Sequence, residues 1–304
     1  MRNAYLETLY DIAQKDKRVY AVISDNGAIV YDKYRRDLPG QYINAGISEA
    51  NMVGMAAGMA RRGKIPFAYT IGAFLAYRAY EFIMNDVCLQ NQNVKLVGIG
   101  AGCSYSLLGS SHHSIFDIAA LRTLPNLTIF SPASPIEVRK AVRSAYEMEG
   151  PVYLRLGTNR EPEIYDRDYD FVVGKAVTLR EGNDITLMGT GSIMADVLRA
   201  ADELSTDGVS VRVLDFHTIK PLDEEAIKLV AEETKRIITV EEHSIYGGFG
   251  CAVAEVIAES GTTVQFKRIG LTDFAQGYGK HDEIKAANSI SVADIVREAG
   301  RMLA

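Results

Sequence analysis

The stretch Gly46-Ile47-Ser48-Glu49-Ala50-Asn51-Met52-Val53-Gly54, running on into Met55-Ala56-Ala57-Gly58-Met59-Ala60, sets one carboxylate at the head of a segment with almost no side-chain bulk. Alanine and methionine favour helix, and Ser48 or Asn44 can cap it, so Glu49 falls in a first turn that welcomes negative charge. Decoration of a helix start would explain that much. Gly54, Ala56, Ala57, Gly58 and Ala60 add a second constraint, because a helix is this bare where another backbone packs close against it. A charge is rarely tolerated there without a partner, which makes Glu49 a candidate functional carboxylate.

Along the rest of the chain, apolar strand-like runs alternate with helical periods, the pattern of mainly parallel sheets covered by helices. An amphipathic N-terminal helix precedes strand candidates at 19–24, 66–70, 94–100 and 127–132, with helices expected near 48–62, 74–90 and 134–147. The polar, aperiodic segment 159–175 reads as a linker. A second series follows, with strands in DITLMGTG, VSVRVLDF, RIITVEEH and VQFKRIG and helices near 192–206, 223–235, 250–259 and 290–303. The expectation is therefore an α/β protein of two domains, 1–165 and 166–304, each a mainly parallel sheet with flanking helices. A length of 304 residues, 47% of them hydrophobic, suffices for two cores.

The net charge of -6 without basic clusters gives no footprint for nucleic acid or an anionic membrane. Cys88, Cys103 and Cys251 are odd in number and far apart, so they read as buried thiols of a reducing, cytoplasmic compartment. No run is long enough to span a bilayer and no signal-peptide core opens the chain. Gly189-Thr190-Gly191-Ser192 lacks the rest of a dinucleotide fingerprint and reads as a tight turn. Glu241-Glu242-His243 lacks a helical partner ligand, and no metal site is assigned.

The run GISEANMVGMAAGMA resembles the pyrimidine-binding domain of transketolases and other thiamine diphosphate enzymes. The resemblance continues through FLAYRAYEFI, GSSHHSIFDIAALRTLPNLTIFSPAS, GPVYLRLG, TIKPLD and VEEHSIYGGFG, covering nearly the whole chain. It implies a pyrimidine-binding domain at 1–165 and a transketolase C-terminal domain at 166–304. It also implies thiamine diphosphate as cofactor, with Glu49 sharing a proton with a ring nitrogen of the aminopyrimidine. Phe74 is then the ring that stacks on the pyrimidine, with Tyr77 and Ile71 at the neighbouring positions and Asp25 at a strand end beside the cofactor. Arg78, Tyr80 and Glu81 match the family's R-A-x-E run and read as interfacial or structural. His112, in Ser111-His112-His113, matches a catalytic histidine that faces the reacting carbon centre. His113 stands where a glutamine is usual and could replace it as a hydrogen-bonding group. In this family a Gly-Asp-Gly motif holds the diphosphate through a divalent cation, and none occurs here. The resemblance thus implies a separate N-terminal-type subunit carrying that motif and holding most of the Mg2+ site, in an α2β2 assembly.

The chain departs from transketolase where a sugar phosphate would bind: Gly100, Leu108, Thr158 and Ile29 stand at positions that usually carry histidine, aspartate, arginine and serine. Arg2 keeps a phosphate-contacting arginine, and Arg160 lies near the lost one. The expected function is two-carbon transfer from a 2-keto donor of non-standard structure. A β subunit of a 2-oxo acid dehydrogenase-type decarboxylase, serving a lipoyl or carrier-protein thiol, is the alternative, and a non-catalytic scaffolding subunit is a third. Donor, acceptor and pathway are not legible in the sequence.

Overall fold

The structure, a computed structural model, describes residues 1–158, 160–166 and 168–304. Among the described residues twelve strands are formed: β1 Val19–Ile23, β2 Tyr42–Asn44, β3 Ile65–Ile71, β4 Lys95–Ile99, β5 Thr128–Phe130, β6 Val152–Leu156, β7 Val177–Arg180, β8 Ile185–Gly189, β9 Val211–Asp215, β10 Thr218–Lys220, β11 Arg236–Ser244 and β12 Gln265–Leu271. They build a seven-stranded sheet, ordered β10-β5-β6-β4-β3-β1-β2, and a five-stranded sheet, ordered β12-β11-β8-β9-β7. The first is parallel except for β10, which runs antiparallel to β5. The second is parallel except for β7, antiparallel to β9.

Strands β3, β4 and β6 are buried along their whole length, so they are mostly apolar on both faces rather than alternating, with Lys95 and Arg155 as buried charged exceptions. The helices Arg2–Lys15 and Pro135–Glu147 cover one face of the first sheet, sealing a core that includes Tyr5, Phe67, Tyr69 and Val138. Ser134 caps the second of these helices, accepting from the Glu137 N–H. Helices Glu49–Ala60 and Gly72–Arg78 cover the other face with Met52, Ala56, Leu75 and Ala76. In the second unit, helices Met194–Thr206 and Val292–Leu303 pack on one side of the smaller sheet and Glu224–Glu233 with Phe249–Ser260 on the other.

Several local expectations are corrected. The helix expected near 74–90 is divided into Gly72–Arg78, Tyr80–Phe82 and a wider π-type turn at Ile83–Cys88. Neither Ser48 nor Asn44 caps the Glu49 helix. The Ser48 side chain makes no cap bond, and Asn44 Oδ1 instead accepts the N–H groups of Asp25 and Gly46. Gly54 does face a close neighbour, the Phe82 ring, whereas Gly58 faces open space. Cys88 and Cys103 are buried free thiols, but Cys251 is only half-buried. Strand β10 belongs to the second half of the chain yet completes the first sheet, with Thr218 opposite Phe130 and Lys220 opposite Ile129.

Candidate active site

In a parallel sheet all carboxyl ends of the strands share one edge, and ligands bind at that edge. Most of the expected site residues follow such an end: Asp25 after β1, Glu49 after β2, Phe74 and Tyr77 after β3, the 100–116 loop with His112 and His113 after β4, and Arg160 after β6, whereas Ile71 is the last residue of β3 itself and Arg2 opens the first helix. The topology therefore brings to one sheet edge residues that lie between positions 25 and 160 of the chain.

Glu49 opens its helix and is 4% exposed. Its Oε2 accepts from Arg78 Nη1 at 3.3 Å, while no described residue donates to Oε1. The same guanidinium lies 4.0 Å over the Phe74 ring. Phe74 in turn meets the His112 ring edge-on at 5.0 Å, and the Tyr105 ring lies 6.4 Å from His112. Ser111 Oγ is 3.0 Å from His112 Nδ1, and no described residue bonds Nε2. Glu49, Phe74 and His112 thus form one contiguous cluster, joined by Arg78, a residue that reads from sequence as structural.

A flat, nitrogen-rich group that touches Glu49 and Phe74 at once is already present in the form of the Arg78 guanidinium. It gauges the site: a buried carboxylate and an aromatic face are set apart by the dimension of a planar amidine-like group, which suits the aminopyrimidine of thiamine diphosphate. Among the described residues no group of three His, Cys, Asp or Glu side chains is arranged to hold a metal ion.

The remaining expected residues are distributed more widely. Tyr77 holds the backbone of the histidine loop, its hydroxyl accepting the Phe116 N–H at 2.9 Å. Ile71, the last residue of β3, is buried in the first core. Asp25 is exposed in a left-handed conformation (φ 53°) and accepts from Asn44 Nδ2 at 2.9 Å, which ties the end of β1 to the turn before Glu49. His113 is 2% exposed, and both its ring nitrogens lack a described partner. Burial keeps its pKa below the ordinary imidazole value despite Glu242 nearby. Arg2 is close enough to Tyr69 and Tyr105 to influence both phenols electrostatically. Arg160 is exposed.

Glu242, on the second sheet, reaches into this region. Its Oε1 accepts the Cys103 N–H and bonds His281 Nε2, each at 2.6 Å. Tyr105 and Glu242 are neighbours of this cluster that the sequence did not place there. Tyr105 sits in an aperiodic loop, and Glu242, visible in sequence only within Glu241-Glu242-His243, lies in the other domain, so no spacing tied either to this site.

Two family models match the chain: "Transketolase, pyrimidine binding domain" over residues 1–161 and "Transketolase, C-terminal domain" over residues 174–295. The chain is 38% identical over 300 residues to one of the subunits of the apulose-4-phosphate transketolase of Phocaeicola vulgatus, spanning 98% of this chain and 96% of that protein. It is 36% identical to a 6-deoxy-6-sulfo-D-fructose transketolase subunit of a Clostridium species, over 98% of this chain and 93% of the relative. Among solved structures, a split-gene transketolase described as an inactive beta4 tetramer superposes with a TM-score of 0.90 at 35% identity, covering 99% and 97% of the two chains. Among the described residues no helix is long and apolar enough to cross a membrane. The two family models and the full-length match to separate transketolase subunits show that this chain belongs to the transketolase family, as the C-terminal subunit of a split enzyme that depends on thiamine diphosphate.

Proposed function

We propose that this chain is the pyrimidine-binding half of a two-chain transketolase that transfers a two-carbon unit from a ketose donor to an acceptor. The observation that carries the reading is the Glu49–Arg78–Phe74–His112 cluster at the carboxyl edge of the first sheet. Bound thiamine diphosphate supplies a carbon nucleophile that cleaves the bond beside a ketone. Glu49 shares a proton with the pyrimidine ring, and its burial excludes the water that would weaken that hydrogen bond. Phe74 offers the flat face against which the ring lies. His112, steadied at Nδ1 by Ser111, keeps Nε2 for proton exchange with substrate hydroxyls.

The diphosphate and Mg2+ are assigned to a partner of the N-terminal type bearing Gly-Asp-Gly, in an α2β2 assembly. The absence of that motif from this sequence and the naming of the relatives as separate subunits support this division. Those relatives are named for a phosphorylated and a sulfonated sugar. With Gly100, Leu108, Thr158 and Ile29 at the usual phosphate- and hydroxyl-binding positions, Arg2 is left as the principal reader of a terminal anion, with Arg160 beyond it. A non-standard ketose fits this edge better than a conventional pentose phosphate.

The test is reconstitution. The isolated chain is expected to show no ketol transfer, and mixing with its partner, thiamine diphosphate and Mg2+ to restore it. In the complex, Glu49→Gln should slow exchange of the cofactor's C2 proton by several tens-fold, on the order of 2 kcal/mol. Exchange and turnover within twofold of wild type would make Glu49 structural.

A further inference from the structure

Arg78 touches both residues assigned to the pyrimidine. Its Nη1 donates to Glu49 Oε2 at 3.3 Å, and its Cζ stands 4.0 Å over the Phe74 ring. A guanidinium is planar, presents N–H groups in its plane and offers a flat face for stacking. An aminopyrimidine presents the same two features, a nitrogen edge and a flat face. We propose that the Arg78 guanidinium and the aminopyrimidine ring are alternative occupants of one seat, so that Arg78 is an internal competitor that the cofactor must displace. The inference rests on the thiamine diphosphate reading above and adds to it a residue that opposes binding.

The physical case has three parts. Glu49 is 4% exposed and cannot follow a departing partner into solvent, so its charge needs a neutralising group at all times. Arg78 answers that need, yet its side chain is 54% exposed, which leaves it an unobstructed route to water. Its bond to Glu49 is also longer than the roughly 2.7–2.9 Å of a strong charge-assisted pair, and a half-solvated pair is weak. The contact is therefore firm enough to hold Glu49 and Phe74 in place and loose enough to yield. Phe74 stays in position through His112, which meets its edge at 5.0 Å and does not depend on Arg78.

A pocket wall and a competitor predict opposite signs. Thiamine diphosphate with Mg2+ is titrated calorimetrically into the complex of the full chain with its N-terminal-type partner, using wild type, Arg78→Ala, Arg78→Met and Glu49→Gln. Arg78→Ala and Arg78→Met should bind the cofactor about three- to tenfold more tightly, the size set by one half-exposed ion pair and one cation–π contact. Arg78→Met keeps the apolar stem and carries the test if the alanine variant folds poorly. Millimolar ethylguanidinium, which can refill the seat, should reverse the gain in Arg78→Ala and leave wild type unchanged. Affinity that is unchanged within twofold, or weaker, in both Arg78 variants overturns the inference while leaving the cofactor assignment intact. Exchange of the cofactor's C2 proton that Glu49→Gln leaves within twofold of wild type would overturn the pyrimidine assignment itself, and the inference with it.

Discussion

At Gly100 the backbone adopts φ +84°, and a β-carbon at this position would lie 2.2 Å from Tyr105 Cε2. The residue that usually carries a histidine has thus given its space to a tyrosine ring five positions on, beside His112 and within reach of Arg2. Gly100→Ala is expected to lower stability by about 1–3 kcal/mol through a strained left-handed backbone and the evicted ring. Tyr105→Ala in the same chain should recover the steric part and leave the backbone part, so urea denaturation of the two single variants and the double gives a non-additive cycle. Strict additivity would mean that ring and glycine do not share the space. This pair also marks how far single residues are legible in sequence. Gly100 is visible as a departure from a motif, and so are Glu49, Phe74 and His112 as matches to one. Tyr105 and the bridging contact of Arg78 are not, because both depend on how a loop and a helix end converge in space.

The loop between β4 and the helix Asp117–Leu121 shows why an element without periodicity can still be held in place. Gly102 and Ser114 exchange backbone bonds at 3.1 and 2.9 Å, closing the loop at its base. Glu242 takes the Cys103 N–H from outside. Beneath it lies the fully buried Arg155, whose Nε donates to Asp117 Oδ2 at 2.9 Å and whose Nη2 reaches the carbonyls of Ser114 and Glu242 at 2.9 and 3.0 Å. Burial pushes the Asp117 carboxyl up, but Arg155 and then His243 outweigh it and hold the group below its ordinary range. Removing the arginine alone leaves a buried charge uncompensated, so Arg155→Met should cost about 3–5 kcal/mol by chemical denaturation. Adding Asp117→Asn should return part of that loss, and a double variant as unstable as the single one would show that the guanidinium acts through the two carbonyls instead. Patterning reveals the long strands and helices of both units, since a buried strand or one buried helix face repeats over several residues. It passes over β2, β7 and β10, which have three or four residues each and take their partners from distant parts of the chain.

The two units are joined by more than the connecting segment, and the joint is acidic. Glu137, from the helix behind the first sheet, and Asp215, at the end of β9 in the second, are both fully buried and share the Tyr165 hydroxyl, at 2.7 Å from Glu137 Oε1 and 2.6 Å from Asp215 Oδ2. Tyr169 donates to the same glutamate oxygen, and the Ala133 N–H donates to Glu137 Oε2 at 2.6 Å. Glu137 therefore accepts from three donors and competes with Asp215 for the single Tyr165 proton. One hydroxyl proton cannot serve two carboxylates at once, and Asp215 Oδ1 has no described partner, so this buried pair favours a proton held on Asp215. Burial, and then the Glu137 charge, push the Asp215 pKa well above the carboxylate range, and burial raises that of Glu137. The sign follows from proton linkage. Below about pH 4 the folded and unfolded chains both hold the proton and the pair's contribution is intact, whereas at higher pH the unfolded carboxylate ionises first. Stability is then lost as pH rises through the folded pKa of the pair, at up to about 1.4 kcal/mol per pH unit for one proton. Asp215→Asn keeps a donor toward Tyr165 and removes the titration, so its melting temperature between about pH 5 and 8 should fall less steeply than that of wild type, with the two curves converging toward acid. Parallel curves across that range would mean that Asp215 is ionised in the folded protein and that the two units are not joined through a shared proton.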